Sequence, residues 1–197
     1  RTDRMHYLTA MQTDAFLGKH TYQEVMGETC NSFANGDQTS TMIRTVKGKT
    51  ILIQHNVMTP RPYNRMFQAV GTQGYVAKYP IPEMLLSSDS AAKVGLEIDN
   101  SNMPLTASQI ETLLNRYAPA FSEETINIAK QLDSRGGMSY FMDLRLAQCL
   151  QQGLPLDMDV YDLAEWCCIA ELSKLSIENG SAPVLIPDFL RGASEVG

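Results

Sequence analysis

A chain of 197 residues, 44% hydrophobic and 19% charged, is long enough for one sizeable core or at most two small ones. A net charge of −6 and a pI near 5.0 argue against a nucleic-acid binder, which needs a basic stripe to neutralise phosphates. The sequence contains no apolar run of about twenty residues, the length that a membrane-spanning helix requires.

The opening segment RTDRMHYLTAMQT starts on Arg and has no apolar stretch of signal-peptide length, so it reads as the start of a chain cut from something longer. His6–Gln12 has the pattern of a strand. Asp14 is placed to cap a helix running to about Met26 and stopping at Gly27. The polar text from Glu28 to Ser40 reads as a surface loop. Met42–Val46 and Thr50–Val57 then flank Lys47-Gly48, a two-residue hairpin signal in which glycine supplies the positive φ. With that turn Ile43 and Thr45 would share a face with Leu52 and Thr50, and Met42 would lie beside Ile51 and Ile53. Both faces would carry apolar residues, so the pair is expected to be central in a sheet and covered at least partly on both sides.

Arg65–Val70 and Tyr75–Tyr79 form a second strand pair around Gly71-Thr72-Gln73-Gly74, ended by Pro80 and Pro82, which cannot donate to a ladder. Residues 83–104 are weakly patterned and read as loop-rich. After them the hydrophobic period changes from two to 3.6. Thr106 and Gln109 have capping-box spacing before Ile110, Leu113, Leu114 and Tyr117. Ser122 caps a second helix whose first turn holds Glu123 and Glu124. A third runs from about Met138 to Gln152, and a fourth opens at Asp159 and ends at Asn179-Gly180. Val184–Ile186 reads as a short edge strand. Strands followed by helices indicate an α+β fold: a mainly antiparallel open sheet with helices packed on one face, in a single domain over 1–197.

Chemistry concentrates between the two hairpins, in TPRPYNR, where a proline-held loop carries Arg61, Tyr63 and Arg65. Such a loop suits a hydroxyl-rich or anionic ligand. Tyr63 reads either as a ligand contact or as a bridge from loop to sheet. Arg61 and Arg65 either orient it and bind ligand oxygens or anchor the loop through ion pairs. His55, near a strand end, either faces a cleft or is structural. Cys30, Cys149, Cys167 and Cys168 lack CxxC spacing and read as buried free thiols, and His6, His20 and His55 do not supply zinc-ligand spacing. Asp157, Asp159, Asp162 and Glu165 cluster at a helix start, as cap and dipole partners do. No GxGxxG, Walker, HExxH or GxSxG motif is present, and GTQG lies within a hairpin instead of opening a helix.

Two blocks, TVKGKTILIQHNVMTPRPYNR with GTQG after it and the stretch from Arg135 to Gly192, resemble the C-terminal domain of Gfo/Idh/MocA proteins. The combination of RPYxR, GGM, GLPLDxDVYDxAEW and PDFxRG is most similar to glycoside hydrolase family 109, the NAD-dependent α-N-acetylgalactosaminidases. The resemblance implies a longer parent, exported or periplasmic in a bacterium, whose N-terminal Rossmann domain binds NAD. This chain would be its carbohydrate-binding side, homo-oligomeric through its sheet and inactive alone. The implied chemistry oxidises the sugar C3 hydroxyl, eliminates the glycosidic oxygen after C2 deprotonation, adds water and returns the hydride. That route differs from the paired carboxylates of most glycosidases. Tyr63 matches a substrate-contacting tyrosine, with Arg61, Arg65 and His55 as further substrate-side candidates. Arg135 and Ser139 stand where the family has an HGGMD-like string, and Asp143 and Arg145 follow as candidates. The alternatives are a sugar or cyclitol NAD(P)-dependent dehydrogenase of the same superfamily and a non-catalytic dimerisation module.

Overall fold

The computed structural model describes residues 3–30, 32–117, 121–132 and 137–190. Its elements are β1 (Met5–Gln12), α1 (Phe16–Met26), β2 (Gln38–Thr45), β3 (Thr50–Asn56), β4 (Gln68–Val70), β5 (Gly74–Ala77), β6 (Glu83–Leu86), α2 (Ser88–Lys93), α3 (Ala107–Tyr117), α4 (Glu123–Leu132), α5 (Met138–Gln152), α6 (Val160–Glu178) and β7 (Val184–Leu185). They fall into two units, Arg1–Arg61 with Leu156–Gly197, and Pro62–Pro155. Both sheets are antiparallel and open, giving the α+β class that the order of elements predicts.

The first unit is a four-stranded sheet in the order β3-β2-β1-β7, with α6 against one face. Strand alternation explains the packing: Leu8 and Ile43 are cross-strand partners and both are fully buried. With Met5 and Ile186 they form the core, and Cys168, Ile169, Leu172 and Val184 pack on it. Serines let α6 approach the sheet closely, and each buried hydroxyl is used. Ser173 Oγ and Thr41 Oγ1 are 2.9 Å apart. Ser176 Oγ accepts from the Ala10 N–H at 3.0 Å and donates to the Ala182 carbonyl at 2.7 Å. β7 pairs with β1 only at Tyr7 and Leu8. Ser176 therefore takes over, two residues on, the donor that a longer β7 would have satisfied.

The first hairpin differs from expectation by one residue. The loop has three residues, Val46–Gly48, closed by the Thr45 N–H on the Lys49 carbonyl at 2.9 Å, with Gly48 at φ +83°. Ile43 therefore faces Ile51 and Met42 faces Leu52, and the expected side-chain faces of the second strand are exchanged. Nor is the pair central. β3 is the sheet edge, and Ile51, Leu52 and Ile53 are 41%, 47% and 37% exposed. Asp3 braces the turn: its carboxylate accepts from the Lys47 N–H at 3.1 Å and from Lys49 Nζ at 2.5 Å. The Lys49 ammonium, helped by the backbone N–H groups, holds this carboxyl well below the usual carboxylate range.

Asp14 does not cap α1. The N-cap residue is Ala15, and Asp37, just before β2, accepts from the N–H groups of Phe16, Leu17 and Gly18, each at 2.9 Å. A carboxylate from the loop that leads into β2 thus satisfies donors that every helix start leaves open. Hydrogen bonding, from Leu17 first and then Gly18 and Phe16, outweighs burial and lowers the Asp37 pKa. The expected stop at Gly27 is present, in the left-handed conformation at φ 71°.

The second unit holds the three-stranded sheet β4-β5-β6 with α2 to α5. Its first hairpin forms around Gly71–Gly74 as expected, with Val70 opposite Tyr75. Residues 83–104 are more regular than their pattern indicates: β6 joins the sheet along β5, and Ser87 caps α2. The local caps read from sequence are present. Thr106 and Gln109 bond reciprocally, and Ser122 Oγ accepts from the Thr125 N–H at 3.1 Å. In the first unit Asp159 and Asp162 form a capping box at α6, and Val184–Leu185 forms the short edge strand.

Candidate functional site

The loop between the hairpins is held at both ends by asparagines. At the end of β3, Asn56 Oδ1 accepts from the Thr59 N–H at 3.1 Å and from its hydroxyl at 2.9 Å. Further on, Asn64 Oδ1 accepts from the Met66 N–H at 2.5 Å, an Asx turn that carries Met66 through φ 47°. The Lys78 N–H then bonds the Phe67 carbonyl at 2.9 Å, tying the loop to the end of β5.

This geometry brings Tyr63, Arg65 and Tyr79 together. Arg65 Nε donates a hydrogen bond to the Tyr63 hydroxyl, and its guanidinium lies 5.7 Å from the ring centroid. Tyr63 meets Tyr79 edge to face, with centroids 5.8 Å apart and planes at 85°. Tyr63 nonetheless stays 70% exposed. Its oxygen is occupied as an acceptor and its O–H remains able to donate. Tyr79 was missed by sequence reasoning because it reads as the last residue of a strand. Its only local signal is the Tyr-Pro step that follows, whose peptide bond is cis.

The other two candidates belong to the first unit. His55 lies on the edge strand β3, opposite Thr39, and is exposed. Arg61 is also exposed. Arg135, together with Gly136 of the GGM string, lies outside the described residues, as do Arg191 and Gly192 of the PDFxRG string. Gly137 opens α5 at φ 86° in close contact with Ala129: a Cβ there would sit 2.5 Å from the Ala129 Cβ. Glycine at this point therefore serves the packing of α5 on α4. Ser139, Asp143 and Arg145 are exposed on α5.

Of the acidic cluster, Asp159 and Asp162 cap α6, while Glu165 Oε1 accepts from the Met5 N–H at 2.5 Å. The cysteines are free, but burial is uneven: Cys149 is buried, Cys30 and Cys168 are partly buried, and Cys167 is exposed. The expectation of four buried thiols fails at Cys167 because it lies on the side of α6 turned away from the sheet. Burial, with Glu165 beside it, pushes the Cys168 thiol pKa up. Among the described residues no three His, Cys, Asp or Glu side chains converge as metal ligands would. No described helix is long and apolar enough to cross a membrane. A cleft of about 640 Å³ in the second unit is lined mainly by Met84, Leu86, Val94, Leu113, Leu114 and Tyr117. It is apolar, and neither Tyr63 nor Arg65 lines it.

Residues 1–195 match the family described as "Glycosyl hydrolase 109, C-terminal domain". The chain belongs to glycosyl hydrolase family 109. It is 53% identical over 196 residues to glycosyl hydrolase family 109 protein 1 of Bacteroides fragilis, covering 98% of this chain and 42% of that protein. It is 52% identical over 195 residues to the family 109 protein of Porphyromonas gingivalis, with 98% and 42% covered. Protein 5 of Phocaeicola vulgatus is 46% identical over 196 residues, covering 98% of this chain and 38% of that protein. The chain thus spans about two fifths of the length of these family 109 relatives. The resemblance carried by RPYNR, GGM and DVYDLAEW is that of the family 109 C-terminal domain, a glycosidase-family domain.

Proposed function

We propose that this domain forms the substrate side of a glycosidase acting on α-linked N-acetylgalactosamine-like sugars, and that Tyr63 contacts the sugar. The observation that carries the reading is the Tyr63–Arg65–Tyr79 constellation in a family 109 C-terminal domain. An exposed phenol can donate to a sugar hydroxyl while its ring covers the apolar C–H face of a pyranose. Arg65 fixes the phenol oxygen, so the donor direction is set before substrate arrives. Tyr79 backs the ring edge-on and limits its rotation. Arg61 and His55 are further candidates for ligand oxygens, on the first unit.

The GTQG turn does not fit the phosphate-binding loop of a dinucleotide fold. The Gly71 N–H bonds the Gly74 carbonyl at 2.8 Å, so the two glycines of GTQG close a hairpin, and the element they lead into is the strand β5. NAD would therefore be held by the part of the longer protein outside this chain, and catalysis would need that part. Association of two copies through the open face of the four-stranded sheet also belongs to this proposal. Met11, Met42, Leu52 and Leu185 are 67%, 45%, 47% and 70% exposed, and the strand register sets Met42 beside Leu52 on the side away from α6.

The test is the longer protein on a panel of aryl glycosides, with NADH absorbance followed in parallel. Release of the aryl group from an α-N-acetylgalactosaminide without net NADH supports the reading. Net NADH from a free sugar, with no glycoside cleaved, would place the protein with the sugar dehydrogenases.

A further inference from the structure

A helix that is apolar all round is normally covered on all sides. α6 has nearly that composition over its N-terminal half, Asp162 and Glu165 apart, yet among the described residues only one side is covered, by β1, β2 and β7. On the other side Val160, Leu163 and Trp166 are 68%, 58% and 51% exposed, and Met158, just before the helix, is 51% exposed. Cys167 and Ala170 continue the stripe and are exposed too. The stripe then stops: Glu171, Lys174 and Glu178 occupy the outer face of the last turns, with Lys174 and Glu178 4.0 Å apart as an exposed pair. Apart from Leu175, which is 44% exposed, the exposed apolar residues of α6 lie in its first turns.

The same turns are where the polypeptide enters the unit. The Met5 N–H bonds Glu165 Oε1 at 2.5 Å, and Arg4 pairs with Asp188 at 3.8 Å. Glu165 is the residue before Trp166 and two after Leu163. Glu165 is on the sheet-facing side of α6, so the polypeptide that precedes the first strand leaves the unit at the level of the stripe along the helix axis, from the sheet side. In the family 109 relatives more than half of the protein lies outside the matched region, which is their C-terminal domain. A surface on a tethered segment meets its target at an effective concentration on the order of millimolar, whereas a second copy must rely on affinity alone.

We infer that the outer face of α6, formed by Met158, Val160, Leu163, Trp166 and Cys167, is the seat of the domain that precedes this one in the same polypeptide. The inference does not depend on which sugar is cleaved or on whether that domain binds NAD. Its test is photo-crosslinking in the longer protein with p-benzoylphenylalanine at position 163, in a mixture of unlabelled and heavy-isotope-labelled copies. A crosslinked peptide from upstream of Arg1, within one copy, is the expected result. A crosslink between copies, a crosslink to residues 62–155, or none at all overturns the inference. A second variant guards against misfolding. Leu163→Asp should leave the thermal midpoint of the 197-residue chain unchanged and lower that of the longer protein; equal shifts in both would also overturn it.

Discussion

Replacing Ser176 by alanine tests how α6 is joined to the sheet. Ser176 is fully buried, and its hydroxyl lies between the Ala10 N–H at 3.0 Å and the Ala182 carbonyl at 2.7 Å. Ala182 is exposed, so water can replace the lost donor there at small cost. Ala10 is 1% exposed, and its N–H would be left without an acceptor. An orphaned buried donor costs about 1–3 kcal/mol, a sizeable part of the roughly 5–15 kcal/mol that stabilises an ordinary domain. The chain has a single tryptophan, Trp166, and it lies on α6. Its fluorescence during urea unfolding therefore reports on the first unit. With a slope of about 2 kcal/mol per molar urea, a loss of about 2 kcal/mol lowers the midpoint by about 1 M at constant slope. A midpoint within about 0.2 M of the parent would refute the view that Ser176 completes the β1 ladder.

Three further outcomes follow from the same geometry. Thr41→Val and Ser173→Ala each orphan one buried hydroxyl, so the double variant should lose less stability than the two single losses added together; strict additivity in urea melts would mean the 2.9 Å contact is energetically idle. Gly48→Val forces a β-branched residue into φ +83° and should cost roughly 1 kcal/mol or more, read from the same melts. The Asp37 carboxyl has a folded pKa below its unfolded value of about 3.9. Its contribution is therefore complete above about pH 4 and is lost as pH falls further, through the folded value. Amide chemical shifts of Phe16, Leu17 and Gly18 should report this acid transition, and Asp37→Asn should remove it; an unchanged transition in the variant would contradict the capping role.

What was legible in the sequence is what is decided locally. The caps at Thr106, Ser122 and Asp159, and the stop at Gly27, involve partners within a few residues, so their spacing names them. The errors share the opposite cause. Asp37 caps a helix from 19 to 21 residues away, and nothing in a polar loop marks which aspartate will do so. β6 has a weak pattern because β5 supplies its partner groups. The hairpin slipped by one residue because a glycine at positive φ fits a two-residue and a three-residue loop alike. In the candidate site, Tyr63 and Arg65 are two residues apart and readable as a pair. Tyr79 becomes their neighbour only when the second hairpin folds back. The exposure of Val160, Leu163 and Trp166 on α6 is likewise not written in their spacing, because apolar periodicity is the same for a buried and an exposed face.

The central claim is that Tyr63 touches the sugar, and Tyr63→Phe in the longer protein tests it most directly. The substitution removes one hydroxyl from an exposed side chain and keeps the ring against Tyr79. Losing one hydrogen bond of about 0.5–1.5 kcal/mol in the transition state should lower kcat/KM on an aryl α-N-acetylgalactosaminide by roughly two- to tenfold, with the thermal midpoint unchanged. An unchanged kcat/KM, or a loss of activity that only follows a loss of stability, would contradict the account and make Tyr63 a tie between loop and sheet.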